Sequence, residues 1–160
     1  MRLLAARRLT FDLVAILPRH LEHVPTIAAK APGLRLIIDH LAKPPIAARE
    51  WEPWASWITR AAGVPNVFAK ISGLDTAAQA GWTADDLSRH VDHALDAFGA
   101  GRLMWGSDWP VSNLGGGYAS VRLEMKRLFA RRPPGERDQV LGLTAAHVYR
   151  LDRGTDCMGG

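Results

Sequence analysis

Four short apolar runs alternate along the chain with longer stretches in which apolar residues recur every three or four positions. The first run, "FDLVAIL" from Phe11 to Leu17, is closed by Pro18 and reads as a buried strand. Leu21, Val24, Ile27 and Ala28 then fall at helical spacing, and Pro32 and Gly33 end that helix. "LRLIIDH" predicts a second strand that stops at Asp39 and His40. After the loop "LAKPPIAARE", Trp51, Trp54 and Ile58 share one helical face, with Gly63 at its end. "NVFAKISG" is a third strand. Thr83 caps a helix with Asp85 and Asp86 in its first turn and Leu87, Val91, Leu95 and Phe98 as its stripe. "RLMW" is the fourth strand; Val121, Met125 and Leu128 mark the next helix, and one or two more close the pattern before a tail, 152–160, expected to fray. Strands apolar on both faces, alternating with amphipathic helices, predict an α/β fold with a parallel sheet.

Length and composition narrow the class. The chain has 160 residues, of which 48% are hydrophobic and 22% charged, enough for one domain with a real core. Its single cysteine, Cys157, cannot form an intrachain disulfide, and a reducing, cytoplasmic setting is expected. No apolar run has the length of a membrane span. The basic-then-apolar start imitates a targeting signal, but Asp12 interrupts it and no cleavage site follows. The net charge of +4 is spread out, and the doublets Arg7-Arg8 and Arg131-Arg132 lack interleaved aromatics, so no nucleic-acid partner is expected.

Polar residues gather where strands stop. "IIDH", "FAKISG" and "LMWGSD" place His40, Lys70, Ser72 and Asp108 at the carboxyl ends of successive strands, the rim where parallel α/β folds build sites. An Asp there can take a proton from water, while a His can orient the electrophile or act as acid. The pairs His20/His23 and His90/His93 have metal-compatible spacing but no third ligand nearby, and are expected as surface residues. His147 is expected in packing or facing solvent. Gly115–Gly117 has no Lys-Ser/Thr sequel, so a phosphate cradle is not expected. There is no G-x-S-x-G elbow, and Cys157 in a frayed tail is a poor nucleophile.

Taken in order, "LRLIIDHLAKPPI", "WEPWASWI", "PNVFAKISGL", "AFGAGRLMWGSDWPV" and "GLTAAHVYRL" resemble the L-fuconolactonase-type branch of the amidohydrolase superfamily, a group of lactone hydrolases that includes 2-pyrone-4,6-dicarboxylate lactonase-like proteins. The resemblance implies the carboxyl-terminal half of a TIM-like (β/α)₈ barrel, residues 1–151 supplying about four of its parallel strands. It implies Asp108 as general base for the attacking water on a lactone and His40 of "DH-x-x-K-P" as its catalytic partner. Lys70 and Ser72 match "K-x-S-G"; these two, with Lys43, Trp109 and Asn113, are the implied substrate-binding residues. Lys70 or Lys43 would face the developing oxyanion. The family's first-strand His-x-His is absent from this chain. His40 and Asp108 would therefore join a divalent metal such as Zn only if that pair were supplied. The expected partners are a small lactone and either a second copy or an amino-terminal half. The competing reading is an inactive half-barrel, whose inward residues Val14, Ile37, Phe68 and Met104 would lack partners and whose end strands would be open edges.

Overall fold

The computed structural model describes residues 1–151, so the expected frayed tail and Cys157 lie outside the described residues. Four strands, β1 (Thr10–Leu13), β2 (Arg35–Ile38), β3 (Val67–Ile71) and β4 (Leu103–Trp105), form one sheet in the order β1-β2-β3-β4. All neighbours are parallel. Consecutive parallel strands laid side by side need every crossover to pass on the same face, because such crossovers are right-handed. The crossover helices therefore cover one face, and all strand carboxyl ends share one rim. This is the winding of a barrel wall.

Register separates the faces. Leu36, Ile38, Val67, Ala69, Ile71 and Leu103 point to the helices and join the main core with Trp54, Ile58, Leu87, Val91, Phe98 and Phe129. That core gathers α2 (Pro18–Glu22), α4 (Trp54–Ala62), α5 (Ala84–Phe98) and α6 (Gly117–Ala130), after α1 (Arg2–Ala6) at the start of the chain. Thr83 is the N-cap of α5 as expected, and the Asp86 side chain completes a capping box by accepting from the Thr83 N–H. The helix expected after Pro18 breaks into α2 and α3 (Val24–Lys30) at His23, since Pro25 has no N–H to continue the ladder.

Two expectations are corrected on the opposite face. The first strand ends at Leu13, not Leu17, because β2 offers it no register beyond Ile38; Val14, Ile16 and Leu17 are exposed rather than buried, and Val14 does not join an interior layer. Ile37, Phe68 and Met104 do face inward, but they have partners. The closing segment runs through α7 (Pro134–Asp138) and a wide turn, Gln139–Leu143, into α8 (Thr144–Tyr149), and it lays Val148, Ala145 and Tyr149 over them. Ile37, Phe68 and Met104 are all buried. Arg35 at the start of β2 anchors α8 by donating to the Val148 carbonyl (2.9 Å). Among the described residues, no helix is long and apolar enough to cross a membrane.

Candidate active site

The rim is built from three strand exits. After β2 the backbone enters a left-handed turn: His40, Leu41, Ala42 and Lys43 have φ of 57°, 47°, 59° and 52°. Such a run costs L-residues about 1–2 kcal/mol each. It is offset by complete burial of the Leu41 side chain and near-complete burial of Ala42, and by Trp54, whose indole N–H donates to the Leu41 carbonyl at 2.7 Å. The turn carries the imidazole of His40 over the sheet edge. There Nδ1 lies 2.9 Å from Ser72 Oγ, which follows β3 and is buried. Nε2 faces Asp108 Oδ1 across 3.8 Å. Asp108 follows β4, also has a left-handed backbone (φ 55°), and accepts from the Ser112 N–H at 2.9 Å through its carbonyl. Gly73 (φ +58°) is wedged between the two. A Cβ there would sit 2.7 Å from Asp108 Oδ2 and 2.8 Å from His40 Nδ1. Gly106 approaches Ser72 in the same way, a Cβ there lying 3.3 Å from Ser72 Cβ.

Beneath this rim the inner face is ionic. Lys70 lies 2.8 Å from both Asp12 Oδ1 and Asp39 Oδ1, and the Tyr149 hydroxyl donates to Asp12. Burial alone would lower the Lys70 pKa, but its bonds to Asp12, Asp39 and Tyr149 raise it above the ordinary lysine value. Burial and the Asp12 bond push the Tyr149 hydroxyl up to about 12. The His40 pKa is lowered, chiefly by burial; Asp108 and Asp39 oppose the shift while Lys43 and Lys70 add to it. At neutral pH the ring is therefore uncharged, and the tautomer that accepts from Ser72 at Nδ1 presents its Nε2–H toward Asp108. A cavity of about 390 Å³ opens over Asp39, His40, Lys70, Ser72, Asp108 and Tyr149. Two larger clefts, of about 490 and 690 Å³, lie among helices and loops and hold no strand-end residue, so size does not mark the site.

His40, Lys70, Ser72 and Asp108 thus meet in one cavity. The other expected residues lie elsewhere. Lys43 does not line the cavity; its ammonium donates to the Gly73 carbonyl (3.1 Å) and to Thr76 Oγ1 (2.8 Å). Trp109 and Asn113 are exposed and outside the lining. Asp12, Asp39, Gly73 and Tyr149 were not anticipated as parts of the site. Asp12 and Asp39 interrupt apolar runs at inward-facing register positions, a signal the alternation pattern could have carried; Tyr149 reaches the site from a distant helix and has no local signal. The expectation of surface histidines fails for α5: His90 is buried between Trp51 (5.4 Å) and Trp54 (5.1 Å), and His93 is half-buried beside Thr59 Oγ1 (3.0 Å). The interface of α4 with α5 needs that much flat volume. Gly115 packs on Asp75; a Cβ there would lie 2.5 Å from Asp75 Oδ2.

A parallel sheet with a His and an Asp on the exits of two strands that flank a third is an arrangement many hydrolases could share, but the match of residues 1–151 to the amidohydrolase family pattern is specific. The chain belongs to the amidohydrolase family. It is 42% identical over 154 residues to L-fucono-1,5-lactonase of Burkholderia ambifaria, covering 92% of this chain and 52% of that protein. The enzyme of the same name from Burkholderia multivorans is 37% identical over 155 residues, covering 89% and 52%. An amidohydrolase from Burkholderia multivorans solved with bound Zn superposes with a TM-score of 0.84 at 36% identity, over 94% of this chain and 55% of that one. The chain spans about half the length of the curated relatives it matches.

The donors here meet the zinc seen in that amidohydrolase only in part. His40 Nε2 and Asp108 Oδ1, 3.8 Å apart, are close enough to share one ion at bond lengths of about 2.1 Å. A catalytic zinc normally takes about three protein ligands. Among the described residues no group of three His, Cys, Asp or Glu side chains is placed to hold one.

Proposed function

We propose that this chain carries the water-activating side of a lactone hydrolase acting on uncharged sugar 1,5-lactones. Asp108 accepts a proton from water as the water oxygen attacks the lactone carbonyl. The neutral His40, oriented by Ser72, donates from Nε2 to the developing oxyanion. The tetrahedral intermediate then collapses, the bond from carbonyl carbon to ring oxygen breaks, and the proton held on Asp108 passes to the departing ring oxygen. The product is the hydroxy acid. The observation that carries this reading is the convergence of Asp108 and His40, from separate strand exits, across Gly73.

Charge supports an uncharged substrate. Lys70 is the cation among the residues lining the cavity, and it is held by Asp12 and Asp39, leaving Asp108 in excess. A lactone bearing carboxylates would meet like charge here; a polyhydroxylated one would meet hydrogen-bonding groups. The similarity to two L-fucono-1,5-lactonases agrees with this preference. Where a metal is bound, His40 and Asp108 are the donors this chain would offer, and the ion would supply Lewis acidity at the carbonyl. The single cysteine in the chain favours a reducing, cytoplasmic setting.

Steady-state hydrolysis of L-fucono-1,5-lactone and of a pyrone dicarboxylate tests both parts of the reading. Asp108→Asn should lower kcat by about 10²–10⁴ while the melting temperature holds. A wild-type rate in the variant overturns the role of Asp108. Preference for the dicarboxylate overturns the charge argument.

A further inference from the structure

Lys43 is three residues past His40, at the far end of the left-handed turn, and its ammonium is already engaged. It donates to the Gly73 carbonyl and to Thr76 Oγ1, while the Thr76 hydroxyl donates back to the same carbonyl at 3.1 Å. These three groups close a triangle between the exit of β2 and the loop after β3. Gly73, held at its carbonyl by both partners, is the residue whose missing side chain lets His40 and Asp108 approach. The turn also needs holding, since four successive L-residues sit in a conformation they rarely adopt. Trp54 secures its middle at Leu41, and Lys43 secures its end.

We propose that Lys43 is a positioning residue: its ammonium fastens the His40 turn to the Gly73–Thr76 loop and so sets the separation of His40 from Asp108. This rests on the reading of those two residues as the working pair. It stands in place of a direct contact with the substrate oxyanion, since the ammonium is committed to a backbone carbonyl and a hydroxyl and Lys43 is not among the residues lining the cavity.

Two variants separate the roles. Lys43→Met removes charge and donors, whereas Thr76→Val leaves the charge and removes one corner of the triangle. Misplacing a reacting group by about 1 Å can cost about 100-fold. Lys43→Met should therefore lower kcat about 100-fold and Thr76→Val about 10-fold, each with KM within about twofold of wild type. The double variant should be no worse than Lys43→Met, because both act through Gly73. Amide hydrogen exchange, followed on the peptides spanning 40–43 and 73–76, should quicken in both single variants at unchanged melting temperature. A Lys43→Met variant that raises KM at preserved kcat, with Thr76→Val like wild type, would make Lys43 a substrate contact and overturn the proposal. Unchanged exchange at both peptides overturns it whatever the assay gives. A wild-type chain that hydrolyses no lactone overturns the functional reading instead, and the exchange experiment still decides the fastening.

Discussion

Gly73 occupies the tightest place in the site, and its φ of +58° is one that side chains resist. Both facts point the same way. An added methyl would need room already taken by Asp108 Oδ2 and by the His40 ring, neither of which can retreat without leaving the other. Gly73→Ala should therefore lower kcat at least 100-fold, while a backbone cost of about 1 kcal/mol lowers the melting temperature by only a few degrees. Wild-type turnover in this variant would mean that the His40–Asp108 approach is not what the reaction uses. The glycine stands in "KISG", so its presence is plain in the sequence; that it separates two residues from other strands is not.

At the scale of elements, the contact between α4 and α5 is aromatic and unusually polar. His90 lies buried against Trp51 and Trp54, and among the described residues neither of its ring nitrogens has a hydrogen-bond partner. Burial, with smaller contributions from Arg89 and His93, pushes its pKa down to about 4 from an ordinary 6.5. A base whose folded-state pKa is depressed binds fewer protons folded than unfolded. Stability is thus full above about pH 6.5 and is lost as pH falls toward 4. The shift corresponds to a loss on the order of 3 kcal/mol at most. Replacing His90 with Phe, which keeps the flat apolar volume, should flatten the fall of the melting temperature between pH 7 and 4.5 relative to wild type. Parallel curves for the two proteins would show that protonation of His90 does not drive acid unfolding. Helix periodicity had already placed Trp54, Leu87 and Val91 inward; it could not place His90, because a histidine at the margin of a stripe is as well suited to water as to an aromatic neighbour.

For the whole molecule, the sheet of the described residues has both faces covered, and within it β1 and β4 each pair on one side only. The helices bury one face and α8 the other, so Ile37, Phe68 and Met104 are not the sticky surface a bare half-wall would present. The β1 side differs. Within the described sheet, β1 pairs with β2 alone, and Val14 (56% exposed), Ile16 (62%) and Leu17 (44%) follow it at the surface. An unpaired edge beside exposed branched residues invites pairing. Size-exclusion chromatography with light scattering should give a mass above that of one chain at tens of micromolar, and Ile16→Lys should shift it toward the monomer. A monomeric wild type at that concentration would show that the edge is protected as it stands.

The sequence by itself determined the alternation of four strands with helices, and with it the parallel sheet and the rim on which His40, Lys70, Ser72 and Asp108 meet. These follow from the periodicity of apolar residues and from where each run breaks, which are local properties. Only the tertiary structure decided what each polar group bonds to. It gave Lys70 to Asp12 and Asp39, turned Lys43 away from the cavity toward Gly73 and Thr76, left Trp109 and Asn113 in solvent, and brought Tyr149 across from α8. An ammonium or a hydroxyl has the same local pattern whether it meets substrate, carboxylate or carbonyl, and the choice is made by whichever partner the register and the packing of distant segments bring within hydrogen-bond reach.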